Sequence, residues 1–457
     1  MEIISSLELE ALLQSSISIR SSKYYRRETN SLDFNSLIID ARLDFRNSID
    51  VSIMFVNCHF EDEVNFRHVD FKGKLWFTNC FFEGDVSFSS SDFSDDVFFE
   101  FCTAWESLNF SRVKFLKEIH FYGGFYKEIY FRKGEFFEVF IGDKESGTFF
   151  CKVSVYFSDI RGLFFLQAIV AFKLYIQGLI KSTDALSIID CSIKHVAIQD
   201  FSNRGRFRIN RLLPDSKEEF NSSKFQKAWD EVVEKEKNFQ YSYVLIENAV
   251  LDNAEFFSID FRKFNLLCVR ESSLTGLSLS NTIWPEEIKH FGLDLIHKND
   301  LAQISTKKSV SMYRIVRENY RQLKLASSKQ GDVTQEQYFH GLEMSAYEKC
   351  LSWKNDFWTK LIIRLSYLTS NYGQSILRPL IWLLGGHLVF FLIGISTNGI
   401  EVNNFEQAFE KYFIYINPLH KLDDFLKGYL TIVDLVMRIW SSYMLYNIIR
   451  ASRRFIK

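Results

Sequence analysis

Three ionisable side chains near the C-terminal end of the chain sit where charge is costly. Pro379 to Thr397 is a run without Asp, Glu, Lys or Arg, and His387 is its one titratable group. A second apolar stretch, from about Tyr429 to Ile449, carries Asp434 and Arg438 four positions apart, which puts them on one helix face. Charges at membrane depth are rare and face a bundle interior or a water-filled path. His387, Asp434 and Arg438 are therefore candidates for lining an ion path. The plainer reading of Asp434 and Arg438 is a neutralised intrahelical pair that only sets helix packing, and the sequence weighs the two equally. Either reading predicts an oligomer, because two helices leave such a pair open to lipid.

The other reactive groups point away from catalysis. Cys58, Cys80 and Cys102 recur at one constant interval, with Val69, Ser91 and Val113 filling positions between or beyond them. The seven cysteines form no CxxC pair and no Cys/His cluster, so they read as reduced, mostly buried core residues. A metal on the cysteine column is not expected, because the flanking columns are Phe and offer no fourth ligand. His340 and Glu343 read as a structural contact. No GxGxxG, P-loop, GxSxG or HExxH string occurs. The expectation is a protein that is not an enzyme and needs no cofactor.

The elements that must carry these groups announce themselves by repetition. Phenylalanine stands at every eleventh position through Phe55, Phe66, Phe77, Phe88, Phe99, Phe110 and Phe121. A second column holds Phe60, Phe71, Phe82, Phe93 and Phe115, broken at Ala104, and a third holds Val64, Leu75, Val86, Val97, Leu108 and Ile119. Self-similarity at a fixed period marks a repeat architecture. This period also fits a right-handed coiled coil, but these repeats are rich in Phe, Val, Ser, Asp and Gly. Their apolar pairs lie two apart, which is strand spacing. The cysteines make two units one turn, so short strands wind into a solenoid with a stacked Phe and Cys interior.

On these residues the chain resembles the pentapeptide-repeat family. The resemblance covers roughly Leu32 to Phe140 and returns in Ala249 to Thr282, where "NAVLDNAEFFSIDF" is closest to the five-residue unit. It implies a right-handed, four-sided β-helix and, by itself, no function. Steps alternating between five and six residues depart from the family and predict irregular corners.

Around that core the chain divides by pattern. Residues 1–31 form an N-terminal cap segment without an apolar leader, which implies a cytoplasmic start. The β-helix occupies 32–213, a charged helical insertion 214–240, further coils and a cap at Trp284–Pro285 241–288, and a helical connector 289–356. In the connector, Met312 to Lys329 and Thr334 to Leu351 predict an αα-hairpin, with Tyr313, Val316, Tyr320, Leu323 and Leu325 on one apolar face. A membrane module takes 357–457: an interfacial helix, a transmembrane helix over 379–397, a re-entrant-like loop over 401–418 and a transmembrane helix over 429–449. The fold class is thus a β-solenoid with an α-helical connector and two transmembrane helices.

Helix, short re-entrant helix, helix is the layout of two-span potassium-type channels, which the segment from Gly373 to Lys457 resembles. Phe409, Tyr412, Asn417 and Pro418 fall in its re-entrant loop. No TVGYG-like filter follows, only "FIYINPLHK", so potassium selectivity is not implied. Lys and Arg flank the outer ends of the module, which predicts a multi-pass protein of the inner (cytoplasmic) membrane with both termini in the cytoplasm. The net charge of −2 gives no basic field for nucleic acid. The expected partners are the bilayer and further copies of the chain, four by analogy with the channel module. The leading function is an ion-channel-like or membrane-permeabilising homo-oligomer whose β-helix senses or assembles, as a stress or phage-defence effector would. The alternative is a non-conducting membrane-anchored scaffold whose β-helix binds a protein partner.

Overall fold

Parallel pairing between strands two Phe repeats apart organises the N-terminal part of the chain. Phe55 pairs with Phe77, Phe77 with Phe99 and Phe99 with Phe121. The computed structural model describes all residues except 1, 14–15, 41, 46, 143–146, 157–160, 215–241, 286–309, 398–399, 421–428 and 453–457. It forms two compact units, Met1–Lys307 and Lys308–Lys457.

The first unit is a β-solenoid of about ten turns. The single Phe column of the sequence resolves into two ladders. Phe55, Phe77, Phe99 and Phe121 stack at 4.9–5.2 Å on one side, and Phe66, Phe88 and Phe110 at 5.2–5.4 Å on another. Edge-to-face contacts such as Phe88 to Phe99, 6.1 Å, join them across the interior. Phe60–Phe82 and Phe71–Phe93–Phe115 are further stacks. All of these rings are buried, and offset or edge contacts of this kind add to the gain from burial.

The alternation of five and six residues has a physical cause at the corners. Asn57, His68, Asn79, Ser90, Phe101 and Arg112 all take positive φ, between 52° and 61°. Each turns a five-residue corner in the left-handed region, and the next side chain (Cys58, Val69, Cys80, Ser91, Cys102 or Val113) points inward. The six-residue corners turn through polar residues or glycine; a Cβ on Gly73 would lie 2.4 Å from Ser52 N. Each cysteine thiol donates to a carbonyl of the preceding coil: Cys58 to Phe34 at 3.5 Å, Cys80 to Phe55 and Cys102 to Phe77 at 3.2 Å. Gly124 ends the column. Its φ is +87°, and a Cβ there would sit 2.0 Å from the Cys102 carbonyl oxygen. Gly124→Ala is expected to cost at least about 2 kcal/mol, from left-handed strain plus displaced backbone. Chemical unfolding of the full chain checks this. Gly331→Ala is the control, because Gly331 shares the positive φ but has nothing within 4 Å of the added Cβ.

Coils persist where the sequence repeat fades. Thr148–Tyr156, Arg161–Gln167, Ile169–Ile180, Ala185–Asn203 and Arg206–Leu213 are all strands in the same parallel stack. Tyr243 pairs with His195 and Ile246 with Ile198, so the ladder resumes beyond the predicted helical insertion at 214–240. That insertion, except Pro214, lies outside the described residues. Trp284 is buried against Phe261 at 4.7 Å. At the other end, Glu2–Ile4 pairs with Leu37–Ile39. Helices α1 (Ser6–Leu13) and α2 (Ser16–Ser21) bury Leu9, Leu13 and Ile19.

The second unit holds six helices among the described residues: α3 (Val310–Lys329), α4 (Val333–Cys350), α5 (Phe357–Ser370), α6 (Leu377–Ser396), α7 (Phe405–Ile416) and α8 (Tyr429–Ser452). Helices α3 and α4 are joined by Gly331, at φ +74°, and by Asp332, which caps α4 by accepting from Gln335 N at 2.9 Å. Val316, Tyr320 and Leu323 are buried, but Leu325 is exposed. It lies two positions past Leu323, which turns it about 200° away on a helix. Among the described residues only α6 is long and apolar enough to cross a membrane, with mean hydropathy 1.9. Helix α8 has 24 residues, but Asp434, Arg438 and Arg450 make it less apolar, so the expectation of two spans meets that test once.

Candidate functional site

Helix α8 presents two faces. Asp434, Met437, Ser441, Met444, Asn447 and Ala451 are buried, while Ile432, Leu435, Val436, Ile439, Tyr446 and Ile449 are exposed. The buried series advances in steps of three and four, the period of one helical face. It packs against α6, whose buried stripe is Leu383, His387, Phe391 and Gly394. Gly386 lets the helices approach, for a Cβ there would meet Trp440 Nε1 at 2.6 Å, whereas Gly385 faces open space. His387 is fully buried, and its Nε2 hydrogen-bonds Ser441 Oγ.

Asp434 and Arg438 are brought together as their spacing requires, with Arg438 Nε donating to Asp434 Oδ2 at 2.7 Å. The sequence reading missed their third partner. His420 Nε2 lies 2.8 Å from Asp434 Oδ1, and His420 Nδ1 lies 2.7 Å from the Asn417 carbonyl oxygen. The Tyr415 ring meets the His420 ring edge-on at 4.9 Å. Asp434 is only 2% exposed within a single chain. The turn after α7 thus covers Asp434 within a single chain, whereas the expectation that the pair stays exposed holds for Arg438, whose side chain is 23% exposed. Arg438 reaches further out and, with Thr431, Ile432, Asp434 and Leu435, lines an open cavity of about 280 Å³.

The loop residues separate by role. Tyr412 hydroxyl donates to the Leu384 carbonyl at 2.7 Å, and its ring packs on Phe391. Asn417 ends α7 and holds His420 through its carbonyl, and Pro418 follows it, half-buried. Phe409 is not part of the cluster. It is exposed, with Phe405 and Phe413 beside it along the outer face of α7. A buried core of Phe391, Ile400, Tyr415 and Met437 ties α6, α7 and α8 together.

His340 and Glu343 form a separate cluster on the α3–α4 hairpin. Glu343 is 4% exposed and accepts from Lys324 Nζ at 2.7 Å, with His340 Nδ1 at 3.9 Å. Burial, reinforced by the Arg450 and Lys324 cations, holds His340 below its ordinary 6.5. As pH falls through about 6.5 the unfolded chain binds this proton first, so stability is full above that pH and declines below it, down to the folded-state value. The loss between about pH 7 and 5 is expected to be shallower in His340→Gln, read from unfolding midpoints across that range.

On the solenoid, the neighbouring Cys80 thiol and then burial hold Cys58 above its usual range. Burial first, then the Cys102 thiol, does the same for Cys80. Burial pushes Cys151 and Cys191 up to about 12. These are inert packing groups. The outer surface carries a stack absent from the sequence expectations: Trp76, Phe98, His120, Phe140 and Phe165 lie at 4.6–5.1 Å along successive coils. The even spacing of Trp76, Phe98 and His120 was readable but masked by their varied residue types, and the spacing changes beyond His120.

A family profile described as pentapeptide repeats, in nine copies, matches residues 55–103. Neither a curated protein nor a solved structure matches the chain.

Proposed function

We propose that this chain is an integral membrane protein whose α6 and α8 cross the bilayer and whose copies assemble into an ion-permeable complex. The β-solenoid then lies on the cytoplasmic side as a sensing or assembly domain. One observation carries the reading: the polarity of the second unit is inverted relative to a water-soluble helical bundle. His387, His420, Asp434, Ser441 and Asn447 are buried, while Ile381, Leu388, Val389, Leu392, Ile432, Leu435 and Ile439 face outward. A soluble bundle hides its apolar stripe, whereas lipid-facing helices turn polar groups inward. Helix α5 fits the interface, with Trp358 73% and Ile362 64% exposed beside Lys360 and Arg364. The outward apolar face of α8 and the cavity beside Arg438 are where a neighbouring copy fits.

A second reading, a membrane-anchored scaffold, draws support from the satisfied Asp434 and from the outer aromatic stack on the solenoid. Currents from purified protein in planar bilayers, wild type beside Arg438→Ala, separate the two. Discrete openings altered by the substitution are expected. A silent bilayer from correctly inserted oligomer would overturn conduction in favour of the scaffold.

A further inference from the structure

We infer that His420 and Asp434 form a proton-binding site that fastens the turn after α7 to helix α8. The argument is a count of hydrogens. His420 Nδ1 is 2.7 Å from the Asn417 carbonyl oxygen, which only accepts, so Nδ1 carries a hydrogen. His420 Nε2 is 2.8 Å from Asp434 Oδ1, and two lone pairs do not face each other at that distance. A hydrogen must lie between them as well. A neutral imidazole beside an ionised carboxylate supplies only one hydrogen for these two contacts. The pair therefore holds one proton more.

Arg438 decides where that proton resides. Its Nε donates to Asp434 Oδ2 at 2.7 Å, which favours the carboxylate and leaves the ring as imidazolium. Among the described residues, the other groups facing His420 are His387 on α6, a like charge whenever both rings are protonated, and the Tyr415 ring on α7. The site is then a cation–anion–cation row in which Asp434 serves both neighbours. When the proton leaves, the ring can serve the carbonyl or the carboxylate but not both. Asp434 keeps Arg438, and the neutral ring gives up one of its two contacts, which loosens the turn at 417–420. The proton is the ligand, and the fastening of that turn is its effect. The site stands on this local geometry, while any use of it in permeation rests on the function proposed above.

The test is nitrogen and carbon NMR on the full chain in lipid nanodiscs, with ring-labelled histidine and carboxyl-labelled aspartate, His420 being assigned by its loss in His420→Gln. At about pH 7.5, where an ordinary histidine is mostly neutral, His420 is expected to show both ring nitrogens protonated. Asp434→Asn is expected to lose the second ring proton while the His387 signal stays in place, which shows that the fold survives. A bare Nε2 with Asp434 ionised in the wild type would overturn the site. A bare Nε2 with Asp434 protonated supports the extra proton and overturns only its assignment to the ring. None of these readings depends on current, so a silent bilayer and an absent proton are separate failures.

Discussion

Phe77→Ala is expected to destabilise the solenoid by about 3–5 kcal/mol, the usual loss for a fully buried Phe reduced to Ala in a core that cannot collapse. Phe77 has no exposed surface and stacks between Phe55 at 5.2 Å and Phe99 at 5.0 Å. It also meets Phe60, Phe82 and Phe88 edge-on. The coils above and below are fixed by backbone ladders, so their strands cannot close over the void. Each coil of a solenoid leans mainly on its neighbours, and a mid-stack lesion therefore weakens two interfaces at once. Phe101→Ala, at an exposed corner, is expected to change stability little. Denaturant unfolding of the full chain in detergent compares them, and a Phe77→Ala loss below about 1 kcal/mol would contradict a continuous close-packed interior.

Asp434→Ala is expected to cost about 3–5 kcal/mol, the scale for breaking a buried ion pair by removing one partner. The carboxylate is the acidic group shared by His420 and Arg438. Its loss leaves one cation and one imidazole together in apolar surroundings. Replacing all three residues by Leu should recover most of that loss, since a well-packed apolar substitute is often neutral or better. Unfolding midpoints of the single and triple variants, in the same detergent, decide the matter. If the single variant is as stable as the wild type, the cluster is solvated and the burial argument fails. If the triple variant is stable but no longer carries current, the charges serve function rather than folding.

The solenoid was legible because its signal is local and periodic. The interval that separates Phe55 from Phe77 in the sequence is the interval at which the strands pair. The corners were less legible, for left-handed φ falls on Asn, His, Ser, Phe and Arg alike. The stack, not the residue type, imposes it. The second unit was legible as helices, with Met312–Lys329 against an observed Val310–Lys329 and Tyr429–Ile449 against Tyr429–Ser452. Leu325 shows the limit of reading a face by eye. His420 was missed for a different reason. Asp434 and Arg438 share a helix and so a period, but His420 reaches Asp434 from a turn elsewhere in the chain, and no spacing rule connects the two. Its position shortly after Asn417-Pro418, between two apolar stretches, was the available hint.

From Ile53 to Phe121 the pairing offset is constant, which makes that stretch of the solenoid a ruler. Parallel strands sit about 4.8 Å apart, so the roughly ten turns extend about 48 Å along the stack axis. Removing the stretch between one Phe and its partner in the next coil takes out one graduation, leaving every remaining side chain on its original side. The distance between the two ends can thus be set in steps of about 4.8 Å without redrawing either end.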